Sequence, residues 1–308
     1  MSPSQRTILE ILRTQKIVRS AEIIPPRNGA EVNTIFEQIE TLKQVPVDFI
    51  SVTKGAGGSL RGGTLPIAQV VKERFGICAL AHFTCRDYTI EEVENTLMDH
   101  HYFGVHNILA LRGDPPDGKP DHFQTAPNRH CYAWQLIDQI KKLNQGQYLV
   151  REGYDVSHKV RKGQRTQFCI GAAAHPEHEP FHEAVEYLAC KAEVGAEYAI
   201  TQMLFEDTPY LRFVEACRKR GLNLPIIPGL RIVTQLQTAE RMIKKFGVKI
   251  PPVLLEILSK VKTPEDGRQR GLEYTQKLCK KLLQSGAPGI HVFVMSDAQS
   301  AMMLLRNI

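Results

Sequence analysis

Asn107-Ile108-Leu109-Ala110-Leu111-Arg112-Gly113-Asp114 is the stretch whose reading decides the fold. An apolar run this short and continuous reads as a strand buried on both faces. It ends at once in a cation, a glycine and an anion, and parallel α/β sheets gather their chemistry at such C-terminal strand ends. The same design recurs along the chain, in the runs Ala21–Ile24, Phe49–Thr53, Ile77–Phe83, Phe168–Ala174, Tyr198–Met203, Pro225–Ile227 and Ile290–Met295. Between them lie helical patterns, among them Val32–Val45, Leu65–Phe75, Ile90–Phe103, Ala133–Leu143, Phe181–Val194, Tyr210–Arg220 and Asp266–Leu283. Ile35, Ile39 and Leu42 make one apolar stripe. Thr89 followed by Glu92 makes a capping box, and Gly76, Gly104, Gly195, Gly221 and Gly286 stand where helices should stop.

Eight strand–helix units predict a (β/α)8 TIM barrel, an α/β fold in a single domain over residues 1–308. An open doubly wound sheet is the alternative, and closure is preferred because it leaves no bare edge. Residues 1–18 are set apart as an N-terminal extension and 145–167 as a basic insertion, with five Lys or Arg against two acids. Ile250–Val261 reads as an extra helix after the seventh strand.

Composition narrows the function. Of 308 residues, 43% are hydrophobic and 23% charged, which fits a globular chain rather than a disordered or coiled-coil one. No apolar stretch reaches the roughly 18 residues of a membrane span, and residues 1–20 lack the apolar core of a secretory signal. Seven cysteines without a CxxC pair point to reduced thiols and a cytoplasmic setting. A net charge of +6 suits an anionic ligand and gives no reason to expect nucleic acid.

Polar residues cluster at the strand ends. They are Glu22, Thr53, His82 with Thr84, Arg112-Gly113-Asp114, His175 with Glu177 and His178, Gln202, and Ser296-Asp297. An acid inside an apolar strand is costly without a partner or a purpose. Glu22 therefore stands out: a buried carboxyl that keeps its proton can serve as a general acid, the alternative being a structural pair with an arginine. Pro115 and Pro116 stiffen the loop behind Asp114. The glycine-rich run Lys54–Gly63 breaks the dinucleotide fingerprint at Leu60 and reads as a loop over a ligand or a plain turn. His178-Glu179-Pro180-Phe181-His182 matches HExxH in letters only. Pro180 belongs in a first helical turn, so the two histidines cannot share a helical face, and no metal is expected. His100, His101 and His106 read as surface or helix-end residues, and Met302, Met303 and Leu305 as packing.

Taken in order, several segments resemble the methylenetetrahydrofolate reductase family. They are Glu22-Ile23-Ile24-Pro25-Pro26-Arg27, Ser51–Ser59, Ala81-His82-Phe83-Thr84-Cys85, Leu109–Pro116, Ala199-Ile200-Thr201-Gln202 and Ile226-Ile227-Pro228-Gly229. The resemblance implies a flavin-containing barrel that reduces 5,10-methylenetetrahydrofolate to 5-methyltetrahydrofolate. The flavin would be FAD, with FMN as the alternative, and NADH or NADPH would supply electrons. It implies Glu22 as the acid that opens the folate's five-membered ring. Asp114 would stabilise positive charge near flavin and pterin, and Gln202 would bind substrate. Thr53, His82, Arg112, Gly113, Asp114, Tyr132, Ala133, His175, His178 and Lys191 would contact the flavin. A homo-oligomer is expected. Departures from the family include Ile23-Ile24 where Phe-Phe is common, His175 where Tyr is common, and Ala298 where Arg is usual. A second function class is a non-catalytic or subunit-type folate binder working in a complex, with the basic insertion as its docking surface. A flavin oxidase of amines or proline is a weaker third.

Overall fold

A strand turns successive side chains to opposite faces, and the computed structural model, which describes residues 3–26, 29–55, 62–114, 128–150 and 161–308, shows what each face meets. The chain runs through α1 (Ile8–Thr14), β1 (Val18–Ile23), α2 (Asn33–Leu42), β2 (Phe49–Val52), α3 (Thr64–Glu73), β3 (Cys78–Thr84), α4 (Ile90–Tyr102), β4 (Asn107–Leu111) and α5 (Ala133–Asn144). It continues through β5 (Gln147–Tyr148), β6 (Arg161–Lys162), β7 (Cys169–Ala174), α6 (Phe181–Glu193), β8 (Tyr198–Leu204), α7 (Thr208–Lys219) and β9 (Ile226–Leu230). It ends with α8 (Leu236–Phe246), α9 (Pro252–Ser259), α10 (Pro264–Gln284), β10 (Gly289–Phe293) and α11 (Ala298–Arg306).

β1, β2, β3, β4, β7, β8, β9 and β10 close in that order into a parallel barrel, β10 pairing with β1. This is the (β/α)8 fold of a single domain, with each expected strand present. Outward positions such as Ala21, Ile23, Ile50, Val52, Ala79, Ala81, Ile108 and Ala110 pack against the helices. Inward positions make a second cluster, with Val18, Phe49, Cys78, Cys169 and Tyr198, each the first residue of its strand, lining the floor of the lumen. Gly171 makes room there: a Cβ on it would meet the Tyr198 ring at 2.5 Å.

Within the stretch 1–18, set apart from the sequence as an extension, α1 and the start of β1 send Ile8, Ile11 and Val18 into this core. Val18 begins β1, and Ile8 and Ile11 of α1 lie at 0% and 2% exposure against the floor residues. Asn107, the first residue of β4, ties α1 in place: its Oδ1 accepts the Ile8 N–H at 2.9 Å and its Nδ2 donates to the Arg6 carbonyl at 3.2 Å. A seven-residue helix carries too short a periodic pattern to announce such packing.

Of the basic insertion 145–167, β5 and β6 form an antiparallel pair, and Glu94 of α4 accepts the Leu149 N–H at 2.7 Å; residues 151–160 lie outside the described ones. α9 is the extra helix expected over Ile250–Val261, while α8 goes beyond the predicted set. The Thr89–Glu92 capping box forms, with Thr89 N–H donating to Glu92 at 2.7 Å and Glu92 N–H to Thr89 at 3.2 Å. His100, expected at a surface or helix end, is 3% exposed; its Nδ1 lies 2.8 Å from the Thr96 carbonyl and its ring meets Phe83 edge-on. All seven cysteines are free, and five are buried. Among the described residues no helix is long and apolar enough to cross a membrane.

Candidate active site

Glu22 follows Val18 and Ser20 on the inward face of β1, level with Ser51 of β2 and Phe293 of β10. It is 8% exposed. Its Oε2 stands 3.5 Å from His82 Nε2 and 3.8 Å from His291 Nε2. Burial presses the His82 imidazole down to about 4, with His291 pushing the same way and the Glu22 carboxylate opposing both. His82 is therefore neutral at neutral pH, and the contact is carboxyl to imidazole rather than an ion pair.

His291 is the residue that sequence reasoning missed. It is 1% exposed, stacked on Phe49 at 6.0 Å and edge-on to Phe293 at 5.4 Å. Its Nδ1 is 2.9 Å from Ser20 Oγ and its Nε2 3.4 Å from Ser51 Oγ; which nitrogen carries the proton follows from the tautomer. The rings and the serine fix its plane, so β1, β2, β3 and β10 together hold one carboxyl between two imidazoles. The signal was available: a histidine in the apolar run Ile290–Met295 is as conspicuous as an acid in Ala21–Ile24.

The other side of the mouth is cationic. Arg112, Gly113 and Asp114 follow β4, and Arg112 and Asp114 are exposed there. Gly113 is left-handed at φ +92°, and a Cβ on it would meet Arg86 Cβ at 3.1 Å and Thr84 Cβ at 3.3 Å, so only glycine lets this turn lie so close to β3. Lys191 of α6 donates to the Ala173 carbonyl at 2.8 Å; burial, helped by Arg112, brings its ammonium down to about 8. His175, which follows β7, is exposed, yet protein crowds around its ring. That enclosure, then the charges of Lys191, His178 and Arg112, favour its neutral form. Tyr132, half exposed, caps the start of α5 beside buried Ala133 and stacks on Trp134 at 6.4 Å. His178 Nε2 lies 3.4 Å from Glu183 and its ring beside Tyr187 at 5.5 Å.

Gln202, near the end of β8, is exposed; its Oε1 accepts the Met203 N–H at 2.9 Å, which leaves its amide NH2 for another partner. Thr53 ends β2 at 3% exposure. Two buried polar atoms at this end of the lumen, Thr53 Oγ1 and His82 Nε2, have no hydrogen-bond partner among the described residues. Such atoms suit a polar ligand that completes them.

The geometry places His178 before α6, with Pro180 at its N-cap and His182 on it, so the HExxH letters do not form a two-histidine face. Among the described residues no three His, Cys, Asp or Glu gather as metal ligands. Arg27, residues 56–61 of the glycine-rich run, and Pro115-Pro116 lie outside the described residues. Ile23, where the family commonly has Phe, points away from the lumen into the outer core, and Ala298 is buried at the start of α11. Lys54, at the head of the glycine-rich run, has a place beyond that loop. It lies over the Tyr88 ring at 4.0 Å and the Phe83 ring at 5.0 Å and donates to the Tyr88 hydroxyl; burial lowers it to about 8 against the pull of Asp87.

Comparison with known proteins agrees with this architecture. A family profile described as methylenetetrahydrofolate reductase matches residues 7–308. Methylenetetrahydrofolate reductase 1 of Schizosaccharomyces pombe is 29% identical over 301 residues, 96% of this chain and 46% of the relative. Methylenetetrahydrofolate reductase (NADH) 1 of Arabidopsis thaliana is 30% identical over 292 residues, covering 94% and 48%. The chain thus spans about half the length of these relatives. The 5,10-methylenetetrahydrofolate reductase of Escherichia coli is 28% identical over 287 residues, 91% of this chain and 86% of the relative. Among solved structures, an uncharacterised Clostridium thermocellum protein that binds two copies of 5-methyl-5,6,7,8-tetrahydrofolic acid shares the fold, with TM-score 0.62, 15% identity and 97% coverage of both chains. With its profile match running from α1 to the last residue, the chain belongs to the methylenetetrahydrofolate reductase family.

Proposed function

We propose that this protein reduces 5,10-methylenetetrahydrofolate to 5-methyltetrahydrofolate with a bound flavin and electrons from NADH or NADPH. The observation that carries the reading is the buried Glu22 carboxyl at the lumen mouth, 3.5 Å from an imidazole that burial keeps neutral. Opening a methylene-bridged ring needs a proton delivered to a ring nitrogen. Glu22, shielded from water and 3.5 Å from His82 at the lumen mouth, is the group placed to deliver one. His291, clamped by Ser20 and Phe49, keeps that carboxyl aimed into the lumen.

The residues present fit a flavin. Thr53 offers an unpaired buried hydroxyl, His82 a buried imidazole beside it, and Arg112 and Lys191 offer cations for phosphates. Gly113, Asp114, Tyr132, Ala133, His175 and His178 complete the lining we assign to it. FAD is the preferred form, as the family resemblance implies, and Arg112, Lys191 and His178, which all act on His175, are the groups we assign to its phosphates. When bound, the flavin supplies hydride transfer, while the protein supplies position, charge and proton. The Gln202 amide would orient the folate, and Asp114 would balance positive charge on it. The folate named for the Clostridium thermocellum neighbour supports the same substrate class. Free cysteines support a cytoplasmic setting and the expected homo-oligomer has no nucleic-acid or membrane partner in this reading.

The purified protein should be yellow. Anaerobic NADH or NADPH should bleach it, and 5,10-methylenetetrahydrofolate should restore the colour. A colourless protein that binds folate tightly would instead select the non-catalytic binder.

A further inference from the structure

Behind Asp114 stands a side chain that neither the strand-end pattern nor the family profile assigns. Arg86 follows β3, and its side chain is only 9% exposed. Its guanidinium is held flat by Asp87, Nε donating to Oδ1 at 2.7 Å and Nη2 to Oδ2 at 2.8 Å. The remaining nitrogen, Nη1, donates to the backbone carbonyl of Asp114. The Arg86 backbone N–H donates to the Arg112 carbonyl at 3.1 Å, and Gly113 rests against Arg86 Cβ. Lys54, whose ammonium sits on Tyr88 and Phe83, also feels the Asp87 carboxylate. One run of contacts thus joins the ends of β2, β3 and β4.

We propose that Arg86 is a positioning residue for the proposed reductase reaction, setting where Asp114 stands at the lumen mouth through its grip on the Asp114 carbonyl. This rests on the reductase reading given above. The physical need is plain. The turn at Arg112–Asp114 bends through a left-handed glycine, the most permissive backbone unit, so its rest position must be imposed from outside. A planar guanidinium already locked by a bidentate carboxylate can impose it without losing further side-chain freedom. Because Asp87 offsets its charge, Arg86 fixes the loop without placing an unbalanced cation beside the Asp114 carboxylate.

The test uses the full chain carrying Arg86→Gln, Asp114→Asn and both together. Two readouts are taken: hydrogen exchange of peptides covering Leu109–Asp114, and anaerobic stopped-flow of the two half-reactions. Arg86→Gln should speed exchange in those peptides about ten-fold or more, with the remaining strands unchanged. It should slow flavin reoxidation by 5,10-methylenetetrahydrofolate about ten- to hundred-fold, with flavin reduction by the nicotinamide nucleotide within about three-fold of wild type. In the Asp114→Asn background the reoxidation effect of Arg86→Gln should vanish, because a residue acting through Asp114 has nothing left to position. Unchanged exchange at Leu109–Asp114, or a kinetic loss of the same size in both backgrounds, overturns the proposal. If wild type never reoxidises with the folate, the reductase reading fails by itself, and the exchange result still decides whether Arg86 holds the turn. Asp87→Asn, which frees the guanidinium without removing it, should speed exchange by a smaller factor; no change would likewise count against the mechanism.

Discussion

Val18 and Glu22 share one face of β1, four residues apart, and belong to opposite environments. At the level of Val18 the lumen is filled by Phe49, Cys78, Leu109, Cys169 and Tyr198 and shut from below by Ile8 and Ile11. At the level of Glu22 the same strands present Ser51, His82 and His291, with hydrogen-bonding capacity left unmet. The floor gains from burying apolar surface. The mouth gives up that gain to hold groups whose protonation and direction matter. If this division is right, mutations at the mouth should alter chemistry at little cost in stability, and mutations at the floor the reverse.

The sharpest break would come at Glu22. Glu22→Gln keeps the size and shape of the side chain but removes the acid. Turnover of the folate should fall about 10³-fold, the scale of a lost general acid, while flavin reduction by NADH or NADPH stays within about three-fold. Anaerobic stopped-flow separates the two; equal losses in both half-reactions would remove Glu22 from the acid role.

The complementary cut is Ile8→Ala at the floor. Ile8 is 0% exposed, and trimming it to Ala leaves a cavity under the lumen costing about 3 kcal/mol in urea unfolding. The flavin spectrum and both half-reactions should remain those of wild type. A loss below about 1 kcal/mol would return residues 3–14 to the status of a dispensable extension.

How far this division could be read beforehand depended on the range of the interaction. The strands were legible because burial on both faces writes itself into consecutive residues, as in Asn107–Leu111. Glu22 was legible because an acid in such a run violates local chemistry. His291 violated it equally and was passed over. Arg86 and Lys54 were not legible, since their meaning lies in Asp114 and Tyr88, 28 and 34 residues away, and polar residues in loops carry no pattern of their own. α1 was opaque for the same reason: Ile8 is tied to Asn107 across 99 residues.

His82 tests the mouth through pH. Its pKa falls from 6.5 to about 4 on folding, so between those values the unfolded chain binds the extra proton. Stability should therefore be undiminished above pH 6.5, fall as pH drops, and be lowered by roughly 3 kcal/mol once pH is below 4. The difference in urea midpoint between wild type and His82→Gln, followed from pH 7 to 4.5, isolates this contribution from other titrating groups. A difference that does not change with pH would mean that folding leaves the His82 pKa unmoved, and wild type gaining on His82→Gln as pH drops would mean that His82 is charged, and paired with Glu22, in the folded protein.

The smallest effect is expected at the floor, and it is the one with an unusual sign. Tyr198 is 0% exposed, and its hydroxyl has no hydrogen-bond partner among the described residues. Burial drives its phenol well above the ordinary value, so it stays neutral at any working pH. An unpaired buried hydroxyl costs more than it returns, whereas the ring below it fills the space opposite Gly171 and cannot be spared. Tyr198→Phe keeps the ring and removes the unpaired group, so it should stabilise the protein by about 1 kcal/mol with both half-reactions unaltered. If instead it destabilises, the hydroxyl has a partner, such as a buried water, and the floor is less dry than its apolar lining implies. If it slows folate turnover at unchanged stability, floor and mouth are coupled through the lumen, and the separation between them would have to be abandoned.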